Sequence, residues 1–348
     1  MNLRQHLLAG QAIPAHPLAL DRNRRFSEKH QRALSRYYVA AGAGGVAVGV
    51  HSTQFEIRDP QHALFKPVLK LAAETVAEEL RATPRDFAMI AGICGKTAQA
   101  MGEAEYSRSL GYDAGLVSMS GWRGEPESEV LTHVATIAQV FPVVGFYLQP
   151  AVGGRVFSYA FWRKFAEIPQ VVAIKIAPFN RYQTIDVVRA VAASGRDDLA
   201  LYTGNDDTIV TDLLTPFTFA NGGKTVTRRI VGGLLGHWGV WTQSAVKLLA
   251  EAQRAGVQPQ IDVSWLSRAN AVTDMNAAVF DAAHQFRGCI PGILEVLRRQ
   301  GLVETAYCLN PHETLSSGQA EELDRVSAAY PELTDDAFVR ENLERWLR

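Results

Sequence analysis

Short runs of β-branched and aliphatic residues alternate along the chain with longer stretches whose apolar positions recur every three to four residues. That is the rhythm of β-strands joined by helices around a parallel sheet. Eight such units can be read. The predicted strands cover 11–15, 45–50, 87–94, 115–120, 143–149, 171–177, 199–204 and 230–235. Between them, amphipathic stretches such as 27–41, 61–80, 97–110, 128–141, 158–168 and 184–193 predict helices, the first started by Ser27 ahead of Glu28 and stopped by Gly42. Residues 216–224, with Asn221-Gly222-Gly223, read as a surface loop before the eighth strand. The alternation predicts an α/β fold, a (β/α)8 barrel over residues 1–256 closed by a helix over 242–255. Helical patterns over 263–286 and 292–300, with two shorter ones within 316–348, predict a C-terminal helical domain over residues 257–348.

Composition narrows the partners. With 47% hydrophobic and 20% charged residues in 348, the chain can bury a large core. A net charge of -1, from 35 basic and 36 acidic residues, leaves no electrostatic footprint for nucleic acid or an anionic membrane, so a small molecule in a pocket is the expected partner. Cys94, Cys289 and Cys308 are odd in number and widely spaced, which points to a reducing compartment. No apolar run approaches ~18 residues. The first ten residues do not read as a signal peptide, and a cytoplasmic location is expected.

In a barrel of this kind, chemistry collects at the C-terminal ends of the strands. Within Val171-Val172-Ala173-Ile174-Lys175-Ile176-Ala177, alternation groups the bulky Val172, Ile174 and Ile176 toward the helices and leaves Lys175 in the lumen between two alanines. A desolvated ammonium loses its proton more readily, and the free amine can attack a carbonyl carbon to form a Schiff base. A lysine paired with a carboxylate at a strand end is the plainer alternative. One strand earlier, the same alternation places Gly145, Tyr147 and Gln149 in the lumen, where the Tyr147 phenol could relay a proton; a core tyrosine with a satisfied hydroxyl is the alternative.

Tyr147-x-x-Pro150 at the end of the fifth strand, followed 28 residues on by Lys175 in Val-Ala-Ile-Lys, resembles the dihydrodipicolinate synthase and N-acetylneuraminate lyase superfamily of Schiff-base aldolases. The resemblance extends to Ile13 through Pro17, Gly42 through Gly49, Ile90-Ala91-Gly92, Tyr202-Thr203-Gly204-Asn205-Asp206 and Ile290-Pro291-Gly292, covering about residues 11–320. It implies a barrel with C-terminal helices and a homo-oligomer, dimer or tetramer. Lys175 would bind a 2-oxo acid such as pyruvate, Tyr147 would move protons, and no cofactor would be needed. Asn205, Asp206 and Asp207, just past the seventh strand, either cap the following helix or orient substrate hydroxyls, and Gly204, Asn205 and Asp206 are the expected substrate contacts there.

The chain departs from the family where the substrate carboxylate is held. In place of Gly-Thr-Thr-Gly-Glu it has Gly49-Val50-His51-Ser52-Thr53, so that either Val50 and His51, or Ser52 and Thr53 after a small shift, stand at the hydroxyl positions. His51 could donate to an oxyanion. Val152 replaces the arginine by which the synthase binds its second substrate, which argues against dihydrodipicolinate synthesis. Gly121-Trp122 replaces an aromatic pair, placing Trp122 in the site or between subunits.

The expected activity is therefore a lyase or aldolase acting on a 2-oxo acid through Lys175, with sugar-acid dehydration through the same iminium as a close variant. Two other classes stay open. His16, His51 and His237 follow strands one, two and eight, which closure makes neighbours, so the three imidazoles could hold a divalent metal. A non-catalytic ligand-binding descendant is the other. His16 also stands as a substrate contact, and Arg22, Arg24 and Arg25 as a solvated cluster, with contact to a substrate phosphate or carboxylate as its alternative.

Overall fold

A computed structural model describes all 348 residues. The strands are β1 Ala12–Pro14, β2 Gly45–Val48, β3 Ala88–Ile93, β4 Ala114–Ser118, β5 Val143–Leu148, β6 Val171–Ala177, β7 Ala200–Thr203, β8 Phe217–Asn221, β9 Lys224–Arg228 and β10 Gly232–Leu235. Eight of them pair in parallel in the order β1-β10-β7-β6-β5-β4-β3-β2. A parallel bridge from Ala15 to Ala47 joins the two ends, so the sheet closes on itself as a (β/α)8 barrel.

The helices are α1 Leu3–Leu8, α2 Glu28–Ala40, α3 Phe65–Ala82, α4 Thr97–Ser109, α5 Glu127–Ala138, α6 Tyr159–Ala166, α7 Arg181–Ser194, α8 Ile209–Leu214, α9 Thr242–Gly256, α10 Ser264–Phe280, α11 Cys289–Arg299, α12 Gln319–Ala329 and α13 Asp336–Trp346. Helix α1 underlies the barrel: the Tyr202 hydroxyl donates to the Leu7 carbonyl, and Leu7 packs with the lumen side chains. None of the helices is long and apolar enough to cross a membrane.

Two segments differ from the sequence expectation. Residues 216–224 are not a loop: β8 and β9 form an antiparallel hairpin inserted before the last barrel strand, and Gly222 and Gly223 turn it with φ of 57° and 78°. Positive φ at both central positions is what a two-residue hairpin turn needs, and glycine adopts it without strain. The helix expected over 263–286 stops at Phe280, because Asp281 (φ 57°) sends the chain into a separate short turn over Ala282–His284.

Side chains divide into a layer between barrel and helices and a smaller cluster that fills the lumen. On β6 the division is the expected one at the site: Ile174 and Ile176 face the helices, Ala173 and Ala177 the lumen. On β5 it is reversed. Val144 and Phe146 fill the lumen, whereas Tyr147 packs outward against Trp162 (centroids 4.9 Å apart) and Phe157 (6.1 Å). A register break on β6 also parts Tyr147 from Lys175, because it turns Lys175 to the lumen while β5 alternates without interruption. Val143 pairs with Val171 but Val144 pairs with Ala173, so Val172 is an extra residue and turns into the lumen cluster. Without the break Tyr147 would stand opposite Lys175; with it, Phe146 does. A slip of one residue exchanges the two faces of a strand. The outward face of β5 is fixed from the helix side. A Cβ at Gly145 would stand 2.6 Å from the Phe165 ring, so only glycine lets the aromatic cluster of α6 lie against β5.

Candidate active site

The C-terminal mouth of the barrel holds a pocket of about 600 Å³. Lys175 stands on its wall two residues before β6 ends, buried, with Nζ 4.5 Å from the centroid of the Phe146 ring. Gly204, after β7, makes room for it. A Cβ there would come within 2.7 Å of Lys175 Cε and 2.8 Å of Ala177 Cβ. Burial drives the Lys175 pKa below the ordinary lysine value, opposed by the Asp206 carboxylate. Burial likewise drives the Asp206 pKa above the carboxylate range, opposed by Lys175. Asp206 Oδ1 accepts the His237 backbone N–H at 3.2 Å, which fixes the carboxylate between β7 and β10.

The segment after β2 supplies the other polar groups. Val50, His51 and Ser52 line the pocket. The His51 imidazole is pushed down to about 4 by burial and by Lys175, so it is neutral at pH 7 and can donate one hydrogen bond and accept another. The Ser52 hydroxyl is buried without a partner in the protein. Thr53 turns away: its Oγ1 accepts the N–H groups of Gly49 (2.9 Å) and Val50 (3.2 Å) and donates to the His16 carbonyl (2.7 Å), pinning the segment across β1. The pocket therefore takes both residues of the ungapped match, Val50 and His51, and one of the shifted pair, Ser52. The loop spends Thr53 on its own geometry.

Several expected contacts lie elsewhere. Tyr147 is outside the pocket, its hydroxyl accepting the Phe157 N–H at 3.4 Å on the helix side. His16 points into the helix layer, bonded to Ser35 Oγ (2.9 Å) and the Pro17 carbonyl (2.9 Å) and edge-on to Tyr38. His237 lines a separate small cavity with Trp238, Trp241 and Met275. The three histidines thus face three different environments, and no three His, Cys, Asp or Glu side chains converge where a metal ion could bind. Asn205 supports the site without lining it. Its Oδ1 accepts the Phe179 N–H (3.0 Å) and its Nδ2 donates to Thr184 and Asp212 (3.0 Å each). Trp122 packs on His133 with Lys96 over its ring. Of the arginine cluster, Arg24 reaches the Cys308 carbonyl and stacks on Tyr307.

The pocket residues that the sequence did not disclose come mostly from outside the barrel strands. Phe280, Phe286, Cys289 and Ile293 reach in from α10, α11 and the turn between them, and Phe179 from the loop after β6. Burial holds the Cys289 thiol protonated, well above its ordinary range. Phe146 was readable only with the correct face of β5, whereas Gln149, expected in the lumen, lines the pocket just past the end of that strand.

A (β/α)8 barrel with a buried, pKa-lowered lysine at its C-terminal mouth is the class that fold and site define. The dihydrodipicolinate synthetase family model matches residues 10–238, about two thirds of the chain, and the chain belongs to that family. No curated relative matches the sequence. Among solved structures, CdNal from Clostridium difficile, in complex with mannosamine, superposes with a TM-score of 0.73 at 15% identity, covering 92% of this chain and 99% of that one. A dihydrodipicolinate synthase from Agrobacterium tumefaciens gives 0.72 at 19% identity (94% and 99%). N-acetylneuraminate lyase from Fusobacterium nucleatum gives 0.70 at 16% identity (93% and 99%).

Proposed function

We propose that the protein is a Schiff-base lyase or aldolase acting on a 2-oxo acid of the pyruvate type. The observation that carries this is Lys175: a buried amine of lowered pKa, walled by Phe146 and admitted by Gly204, at the mouth of a pocket. Its free amine adds to the ketone carbon, and loss of water leaves an iminium. The iminium withdraws electrons from the adjacent C–H or C–C bond, giving an enamine on cleavage or deprotonation. Condensation, cleavage and β-elimination of hydroxide share that enamine, and hydrolysis returns the amine. Family membership supports the same chemistry, and one dihydrodipicolinate synthase of this fold, from Acinetobacter baumannii, is described as complexed with pyruvate.

Protons move differently from what the family resemblance implied. The groups facing the reacting carbon are His51, Ser52 and Asp206, not the Tyr147 phenol. Asp206, with its pKa raised by burial, can return a proton near neutrality, and neutral His51 can accept one. The substrate carboxylate has Ser52 and Gln149 as uncharged partners. Dihydrodipicolinate synthesis is not proposed, since Val152 borders the pocket where that resemblance calls for an arginine.

Borohydride reduction in the presence of pyruvate, with peptide mass spectrometry, tests the proposal. An adduct on the Lys175 peptide, absent from Lys175→Ala, is expected. Failure of folded protein to trap pyruvate or any other 2-oxo acid would overturn it.

A further inference from the structure

The pocket has two unlike parts. Its polar groups, Lys175, His51, Ser52, Gln149 and Asp206, sit on the barrel strands and the segments that follow them. Its outer part is apolar: Leu148, Val152, Phe179, Phe280, Phe286 and Ile293. Lys175 is the one side chain of the lining that carries positive charge at neutral pH, because His51 is neutral there. Nothing in the outer part carries a charge that can pair with a phosphate or carboxylate, and Gln149, beside Leu148, is the one side-chain amide that borders it, too little for a row of hydroxyls. A polar acceptor would leave water-bonded groups unmatched on entry, whereas an aromatic ring would displace water from apolar walls.

The rings that form this outer wall are held in place against local preference. Phe179 (φ 51°) and Phe286 (φ 66°) both occupy the left-handed region, which residues bearing a Cβ disfavour. Of the eight non-glycine residues with positive φ, four (Phe179, Asp281, Gln285 and Phe286) fall in the two segments that carry this ring pair. Each segment is locked: the Phe179 N–H donates to Asn205 Oδ1 (3.0 Å), and the Phe286 N–H to the Asp281 carbonyl (3.0 Å). The result is two half-buried rings meeting edge to face, centroids 5.7 Å apart, beside the mouth. Strain concentrated on two ligand-facing rings, and held by hydrogen bonds to Asn205 and Asp281, is the arrangement expected of a substrate clamp.

We propose that the second substrate, the aldehyde joined to or released from the 2-oxo acid, is aromatic, and that Phe179 and Phe286 select it. The assignment rests on the Schiff-base function above. The enamine carbon of the Lys175-bound pyruvate forms a bond to the aldehyde carbon. The aldehyde oxygen takes up a proton, equal in number to the one lost from the pyruvyl methyl group, and water then releases a 4-aryl-4-hydroxy-2-oxo acid with the lysine amine. No oxidant or reductant is involved.

The test measures kcat/KM for pyruvate with benzaldehyde, D-glyceraldehyde and succinic semialdehyde, alongside borohydride trapping of pyruvate alone. Benzaldehyde is expected to be preferred by ~10-fold or more, the discrimination a single apolar pocket supplies. Phe179→Ala should reduce that preference about 10-fold. Val152→Arg should move it toward succinic semialdehyde, a gain that misfolding cannot mimic. Trapped pyruvate with glyceraldehyde or the semialdehyde preferred would overturn the aromatic assignment and leave the Schiff base standing. Should pyruvate not be trapped, calorimetric titration with benzyl alcohol, which forms no adduct, still decides the aromatic site. Binding weakened by Phe179→Ala supports it, and no detectable binding, or binding indifferent to that substitution, overturns it.

Discussion

Tyr147→Phe separates the geometry of this barrel from the role that its sequence suggests. The substitution removes one hydroxyl and leaves the ring, which stays packed between Trp162 and Phe157. The lost hydrogen bond is long, 3.4 Å from the Phe157 N–H against a usual ~2.9–3.0 Å, so its net contribution lies at or below the low end of the ~0.5–1.5 kcal/mol for a buried bond. Burial also pushes the phenol up to about 12, so it is not a ready acid or base near neutrality. Stability should fall by roughly 1 kcal/mol or less, seen as a small drop in the urea midpoint at unchanged slope. Turnover should change by less than about 3-fold. A tyrosine that relayed protons in the transition state would instead be worth ~10²–10⁴-fold in kcat. The two expectations differ by at least an order of magnitude, and steady-state turnover combined with the rate of borohydride trapping resolves them. A 100-fold loss of kcat with adduct formation intact would mean that the hydroxyl reaches the reacting atoms, and the face assigned to β5 would be wrong.

Further outcomes follow from the same site. Gly204→Ala places a methyl group against Lys175 Cε and Ala177 Cβ; overpacking of this kind costs about 1–3 kcal/mol, and a displaced amine should trap pyruvate ~10–100-fold more slowly. Gly102→Ala, on α4 with nothing within 4 Å of the new Cβ, is the control and should gain up to ~1 kcal/mol in stability; trapping at the wild-type rate in Gly204→Ala would refute the close fit. The trapping rate should rise with pH through a midpoint below the ~10.4 of free lysine, because burial favours the neutral amine. Asp206→Asn removes the anion that opposes this and should move the midpoint lower still; an upward shift would contradict the pairing. His16, His51 and His237 are each held neutral down to about 4, below the 6.5 of the unfolded chain. On these three groups the unfolded state therefore binds more protons between those values, and their share of stability is lost as pH falls from about 6.5 toward 4, opposed by Asp206 and Glu313, whose raised carboxyls take up protons in the folded state. Denaturant titrations at pH 7 and 4.5 of the protein and of His16→Asn isolate the share of one histidine: the variant should lose less between the two pH values, and an equal loss would refute it.

What the amino-acid sequence determined by itself was whatever depends on local period. Alternation and helical spacing set the eight units and hence the barrel, and Lys175 was legible because Ala173 and Ala177 on its face and Ile174 and Ile176 on the other keep their expected sides, although Val172 does not. The hairpin of β8 and β9 was also within reach, since Asn221-Gly222-Gly223 between threonine-rich runs carries its own turn signal. The tertiary structure decided three things that no local pattern encodes. One extra residue at Val172 shifted β6 against β5, putting Lys175 opposite Phe146 on the lumen face, while packing against α6 held Tyr147 outward. Adjacency of strand ends did not make the histidines converge, because His16 bonds to Ser35 in the helix layer and His237 lines a second cavity. The outer wall of the pocket came from α10, α11 and the loop after β6, brought to the mouth by contacts distant in sequence. Register, side-chain direction and long-range packing are settled by competition for space between elements, and that competition exists only once the elements have met.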